Sequence, residues 1–232
     1  MNLRREGRPL RIGHRGAPVL APENTIASLV AAIEHSVDLV EMDVIVDCTG
    51  ELRLAHGPER LGTDSPALAE ALGLVASHGV GVVLDLKSAG IEEGVVELLR
   101  ERGLVERTVV ASFHRASLRR VKELEPSLTT GLSYPFDRVG ISERSGFQPL
   151  IRTGLAGLRR VLPARIGRML DRARADAALL HHALVSRRLV DRCHARDAAV
   201  LAWTVEDQIA LARVLAAGVD GVITNDPGLL RD

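Results

Sequence analysis

The chain has 232 residues, 46% of them hydrophobic and 26% charged, and its 30 basic and 30 acidic side chains cancel to a formal charge of zero. That length predicts one soluble domain, or at most two small ones, and the cancelled charge excludes a sequence-independent nucleic-acid binder or a polybasic membrane binder, since neither would have the field to attract a polyanion. The aromatics are confined to Phe113, Tyr134, Phe136, Phe147 and Trp203, so a base-stacking surface is excluded as well. Cys48 and Cys193 make neither a metal-binding pair nor a disulfide framework. Met1 to Pro9 has no apolar stretch of the signal-peptide kind, and no apolar run approaches the ~20 residues needed to span a bilayer. A cytoplasmic protein without an integral membrane segment is expected, of a chain length that leaves oligomeric state open.

In chain order, the first β-branched run is Leu10 to His14, followed by helical spacing over Thr25 to His35 and a second run, Leu39 to Val46. Asp47-Cys48-Thr49-Gly50 is a turn signal that folds this strand back on itself. Further strands are predicted over Val80 to Leu86, Thr108 to Phe113, Leu128 to Tyr134, Ala177 to His181, Ala199 to Thr204 and Gly221 to Thr224. Helical spacing separates them over Ile91 to Arg102, Ala116 to Leu124, Ser186 to Ala195 and Val205 to Ala216, with Gly103 and Gly218 placed to end helices. Between the fifth and sixth strands an excursion runs from 136 to 176, with two helical stretches, Leu150 to Leu162 and Ile166 to Ala173, as either a lid or an elaborated fifth helix. Eight strands alternating with helices make this an α/β chain, and in this length they favour a single (β/α)8 TIM barrel spanning 1–232.

Parallel strands bring their C-terminal ends to one face, and five of these strands end in groups able to do chemistry. Glu41 and Asp43 lie two apart in a strand, so their carboxylates project from one face into the barrel. Two acids in an apolar interior need a compensating charge, either neighbouring arginines or a hard divalent cation such as Mg2+ or Ca2+, for which all-oxygen ligation is suited. Asp85 and Lys87 repeat the spacing at the next strand end, where one completes a metal site and the other meets an anion, or the two form a plain ion pair. His14 beside Arg15, between Gly13 and Gly16, suits proton transfer next to a bound phosphate. His181 and His182 end another strand and His114 follows one, which leaves each open to a structural or a pocket-facing role, while His35, His78 and His194 read as structural.

Gly13-His14-Arg15-Gly16, Pro22-Glu23-Asn24-Thr25, Glu41-Met42-Asp43 and His56 together resemble the His-Arg, Glu-x-Asp, His signature of the glycerophosphodiester phosphodiesterases. The resemblance runs on through Asp85-Leu86-Lys87, Ala111-Ser112-Phe113, Ala202-Trp203-Thr204 and the segment Gly218 to Pro227, nearly the whole chain. It implies a divalent metal, Mg2+ or Ca2+ with Mn2+ as a further option, held by Glu41, Asp43 and Asp85, and general acid/base catalysis by His14 and His56. Arg15 and Lys87 would contact the phosphate, Trp203 would wall the substrate pocket, and Glu23 and Asn24 would order the residues around the metal. The implied reaction is hydrolysis of a glycerophosphodiester to sn-glycerol 3-phosphate and an alcohol. A lysophospholipase D-type activity on lysophospholipids and phosphodiester binding without turnover are the alternatives. Two positions depart from the family pattern: Asp85 stands where Glu is usual, as in the related spider-venom phospholipase D branch, and Gly57 stands where Asp is usual, with Glu59 or Asp64 as stand-ins.

Overall fold

A computed structural model describes residues 1–4, 7–135 and 148–230, with side chains from 154 onward in the last segment. In chain order the strands are β1 (Leu10–Gly13), β2 (Leu39–Val46), β3 (Leu52–Leu54), β4 (Gly81–Leu86), β5 (Thr108–Ser112), β6 (Thr129–Tyr134), β7 (Ala177–His181), β8 (Ala199–Trp203) and β9 (Gly221–Thr224). All but β3 pair in parallel around the ring β1-β2-β4-β5-β6-β7-β8-β9, and β9 pairs with β1 to close it. Parallel neighbours cannot be joined by hairpins, so a helix makes each crossover. These are α1 (Ile26–Glu34), α2 (Leu68–His78), α3 (Glu92–Glu101), α4 (Arg115–Leu124), α5 (Gln148–Ala173), α6 (Arg187–His194) and α7 (Gln208–Ala217). The result is the expected (β/α)8 barrel. The predicted turn after Val46 is also present, with β3 returning antiparallel to β2.

Strand alternation sorts the side chains into an inside and an outside. Leu10, Ile12, Leu39, Val83, Val109, Ala111, Ala177, Leu179, Ala199, Leu201 and Ile223 form the buried inner core, capped below by Leu3. The opposite faces of the same strands pack against the helices in two further apolar clusters, one around β2, β4 and α1 to α3, the other around β7, β8 and α5 to α7. Local signals start and stop the helices. Thr25 accepts from the Ser28 amide at 3.2 Å to open α1, Asp207 accepts from the Ala210 amide at 2.7 Å to open α7, and Gly218, at φ 83°, closes it.

The excursion differs from expectation in one respect: its two helical stretches are a single helix, α5, running through Pro163. A proline removes one donor from a helix interior. Here the buried stripe Leu162, Ile166, Leu170 and Ala173 continues past it on one face and holds the helix to the barrel. Leu155 and Leu158 pack partly against the same cluster, so the described part of α5 is built as a barrel helix. Phe136 and Phe147, and the side chains of Leu150 and Ile151, which a lid would have used, lie outside the described residues. Among the described residues no helix is long and apolar enough to cross a membrane.

Candidate active site

The inward row changes character at the C-terminal end of the barrel. Leu39 is followed two and four residues on by Glu41 and Asp43, and Val83 by Asp85. Pairing of β2 with β4 sets Asp43 directly beside Asp85. One carboxylate oxygen each from Glu41, Asp43 and Asp85 therefore lies within 4.8 Å of the others, and all three residues are buried. A cavity of about 520 Å³ opens above them, lined among others by His14, Arg15, His56, Lys87 and Trp203.

The loop between β1 and α1 delivers Arg15 and Asn24, both in the left-handed region at φ 50° and 56°. Gly16 makes the sharp turn at φ 88°, where any Cβ would run into Ser28. Ser28 ties the loop down by donating its hydroxyl to the Arg15 carbonyl at 2.9 Å and accepting from the Ala17 amide at 2.8 Å. So held, the Arg15 amide donates to Glu41 Oε2 at 2.8 Å. Its guanidinium donates to Glu23 Oε2 at 2.8 Å and pairs with Asp43 Oδ2 at 2.9 Å. Asn24 grips Asp43 twice, Nδ2 donating to Oδ2 and Oδ1 accepting from the Asp43 amide, each at 3.1 Å. Lys87 reaches Asp85 Oδ2 at 2.6 Å and Asp43 Oδ1 at 2.8 Å.

These contacts set the charges. Burial alone would raise Asp43, but Lys87, a hydrogen bond from His56, and Arg15 together hold it well below the ordinary aspartate value. Burial and the neighbouring Asp43 push Glu41 well above its ordinary value. Burial also raises Asp85, against Lys87. Burial would lower Lys87, yet Asp43, Asp85 and Glu41 raise it, so it is an ammonium. Three carboxylates thus face two cations, Arg15 and Lys87. Asp85 Oδ1 is buried without a hydrogen-bond partner, and Asp43 Oδ1 touches Lys87 outside hydrogen-bonding geometry. Surplus negative charge, orphaned carboxylate oxygens and an oxygen-only donor set fit a hard divalent cation.

The two histidines are held differently. His14 Nδ1 lies 2.6 Å from Asn225 Oδ1, while Asn225 Nδ2 donates to Glu206 at 2.6 Å. Because the Glu206 carboxylate only accepts, the amide faces it and Oδ1 faces His14, which leaves the proton on Nδ1 and the lone pair on Nε2. Burial, then Arg15, lowers the His14 pKa to about 4, so the ring is neutral near pH 7. Its Nε2 is 3.9 Å from Glu41 Oε2. His56, in the loop after β3, sets Nδ1 3.1 Å from Asp43 Oδ2 and 2.9 Å from Arg15 Nη2. With a proton on Nδ1 it donates to Asp43; without one it accepts from Arg15. Either way Nδ1 is occupied inward. At Gly57 the Glu59 carboxylate lies over the Cα, 2.6 Å from where a Cβ would begin, so of the two expected stand-ins Glu59 is the one that fills the space.

All the residues singled out from the sequence converge on this end of the barrel. From the sequence no role is assigned to Phe113 and Glu206 on the lining or to Asn225 behind His14, and the lining pair His181 and His182 stays open. Alternation was the available signal for three. Phe113 follows Ala111, His181 follows Leu179 and Asn225 follows Ile223, each two residues beyond an inner-core position. His35, His78 and His194 bond to backbone or to Asp220 away from the cavity, as expected of structural residues.

The family model of the "Glycerophosphoryl diester phosphodiesterase family" matches residues 14–59 and 83–229. The chain is 28% identical to the glycerophosphodiester phosphodiesterase of Caldanaerobacter subterraneus subsp. tengcongensis, over 95% of this chain and 96% of that protein. Its fold is similar to the glycerophosphodiester phosphodiesterase of Thermotoga maritima, with a TM-score of 0.69 and 18% identity over 97% of this chain and 98% of the other. It is also similar to an Oleispira antarctica phosphodiesterase solved in complex with the product sn-glycerol-3-phosphate, with a TM-score of 0.73 and 22% identity over 94% of each chain.

Proposed function

The chain belongs to the glycerophosphoryl diester phosphodiesterase family, and from that premise we propose that it hydrolyses glycerophosphodiesters to sn-glycerol 3-phosphate and an alcohol, with a divalent metal and two histidines. The observation that carries the proposal is the buried carboxylate cluster with surplus negative charge, flanked by two histidines whose Nδ1 atoms are both committed to protein partners.

Glu41, Asp43 and Asp85 would hold the metal, and Mg2+, Ca2+ or Mn2+ suits their oxygen donors. A divalent ion there supplies Lewis-acid stabilisation of charge building on the phosphoryl oxygens. His14, neutral and with its Nε2 lone pair directed to the cluster, is the base that takes a proton from the nucleophile, whether water or the neighbouring glycerol hydroxyl. His56, whose ring is oriented by Nδ1 against Asp43 and Arg15, is the acid that protonates the departing alkoxide through Nε2. Arg15 and Lys87 are the cations nearest the phosphate position, and Glu23 and Asn24 orient Arg15 and Asp43. Trp203 walls the pocket on the opposite side. The whole chain acts as one such barrel.

The test is product identity. Glycerophosphocholine, glycerophosphoethanolamine and lysophosphatidylcholine are each offered to the protein with Mg2+, Ca2+ or Mn2+. Release of glycerol 3-phosphate from the soluble diesters is expected. Cleavage of the lysophospholipid alone would move the assignment to a lysophospholipase D, and binding of all three without turnover would make the chain a phosphodiester-binding protein.

A further inference from the structure

Strand β7 ends in two histidines that the chemistry above does not use. His181 continues the inward row of Ala177 and Leu179 and so stands at the rim on the same face as Trp203, which continues Ala199 and Leu201. Its ring meets Trp203 edge-on with centroids 5.4 Å apart, and it lies 4.5 Å from the His182 ring, tilted by 37°. All three line the cavity together with Phe113.

The tautomers of the pair follow from their partners. The Ala183 amide donates to His181 Nδ1 at 3.2 Å. Arg213 Nη2, which has only protons to offer, sits 2.7 Å from His182 Nδ1. Each Nδ1 therefore carries a lone pair, and the ring proton is on Nε2. Burial, then His182 and Arg213, brings His181 down to about 4, and burial with Arg213 lowers His182 as well. Both rings are neutral near pH 7, and among the described residues neither Nε2 has a hydrogen-bond partner.

From this geometry we infer that His181 and His182 form a hydroxyl-reading subsite, which receives the glycerol arm of the diester through its two free oxygens. The inference rests on the phosphodiesterase reading and names the arm of the substrate that this wall recognises. Uncharged N–H donors are matched to uncharged oxygen acceptors, whereas the phosphoryl anion is matched to Arg15, Lys87 and a metal. A cationic head group would meet N–H edges and Arg213 instead of lone pairs. Two adjacent rings, 4.5 Å apart at their centroids, offer two donors to oxygens on neighbouring carbons, and Trp203 beside His181 adds apolar surface for the C–H bonds of the same arm.

The experiment compares two ligands of equal charge and carbon count, sn-glycerol 3-phosphate and n-propyl phosphate, as competitive inhibitors of glycerophosphocholine turnover and by direct calorimetric binding. It uses the wild type, His181→Phe, His182→Phe and His181→Gln. His181→Phe keeps a ring beside Trp203 and removes the donor. It should weaken glycerol 3-phosphate by about 2- to 10-fold, the range for one neutral hydrogen bond, and leave n-propyl phosphate unchanged. His182→Phe should act in the same direction, and His181→Gln, which restores an N–H, should recover part of the loss. Equal weakening of both ligands, or unchanged affinity for glycerol 3-phosphate, overturns the subsite. Wild-type protein that turns over no diester would instead fail the phosphodiesterase reading, and the calorimetric comparison of the two ligands would still decide the subsite.

Discussion

On the side of the cavity built by β1, β2 and β4, three carboxylates are packed against Arg15 and Lys87, every group shifted by the others. Across the mouth, β7 and β8 present His181 and Trp203, with no formal charge near pH 7, and Phe113, just beyond β5, stands between the two sides with its ring 5.4 Å from Lys87 Nζ. Both sides are made by one device, the inward row of a strand carried two residues past the apolar core. They differ in what holds them together. The charged side is stable through mutual compensation of buried ions, so removing one member leaves others unpaired. The uncharged side is held by packing and single hydrogen bonds, so its members are separable.

That contrast orders the expected effects of substitution. The largest belongs to His14: its replacement by Ala should lower kcat by roughly 10²- to 10⁴-fold, the range for losing general acid/base catalysis, while a phosphodiester analogue still binds. Near-normal turnover would make His14 a structural residue. Next is Asp43, shared by Arg15, Lys87, His56 and Asn24. Asp43→Ala should cost about 3–5 kcal/mol in a denaturant titration of metal-free protein, because two buried cations lose the carboxylate they share. A loss no larger than that of His181→Phe would erase the distinction between the two sides.

Asp85 comes third. If it holds the metal, Asp85→Asn should weaken calorimetric Mg2+ or Ca2+ affinity by at least about 10- to 100-fold, the cost of disturbing even outer partners of a metal site, and Asp85→Glu should retain binding. Equal affinity in wild type and Asp85→Asn would leave Asp85 as a partner for Lys87 alone.

The smallest effect is a slope. Glu41 is raised well above 4.5 in the folded chain, so its contribution to stability is complete below that pH and is lost as pH rises through the folded value. Asp43, lowered, contributes above its unfolded value near 3.8 and changes little at higher pH. His181 and His182 titrate in both proteins and cancel in a difference. Melting of metal-free Glu41→Gln should therefore gain on wild type as pH climbs from about 4.5 toward 8. A constant difference would show that Glu41 carries no such burden.

The charged side was legible because its spacing is itself chemical information. Glu41 and Asp43 two apart in a strand must share a face, and His14 with Arg15 falls at the end of a strand that Gly13 and Gly16 delimit. What a single sequence does not carry is which strands are neighbours. The register that sets Asp43 beside Asp85, and the loop closure that brings Arg15 onto Asp43, are long-range facts. On the uncharged side the residues were visible but ambiguous. A histidine pair at a strand end reads as either facing the pocket or not, and the choice needs the inner-core row, which fixes Leu179 and hence His181. The start of helix α2 was not legible for a local reason, since Ala67 there offers no capping side chain. The break placed before Ile166 failed for a tertiary one: the buried stripe of α5 outweighs the missing Pro163 donor.

The central claim is that the charged side is a metal site serving phosphodiester hydrolysis. Its most direct test is glycerophosphocholine turnover by wild-type protein stripped with chelator and then resupplied with Mg2+, Ca2+ or Mn2+, with Glu41→Gln alongside. Activity should disappear on stripping, return with at least one of the three ions, and fail to return in the variant. Full release of glycerol 3-phosphate by metal-free wild type would contradict the account.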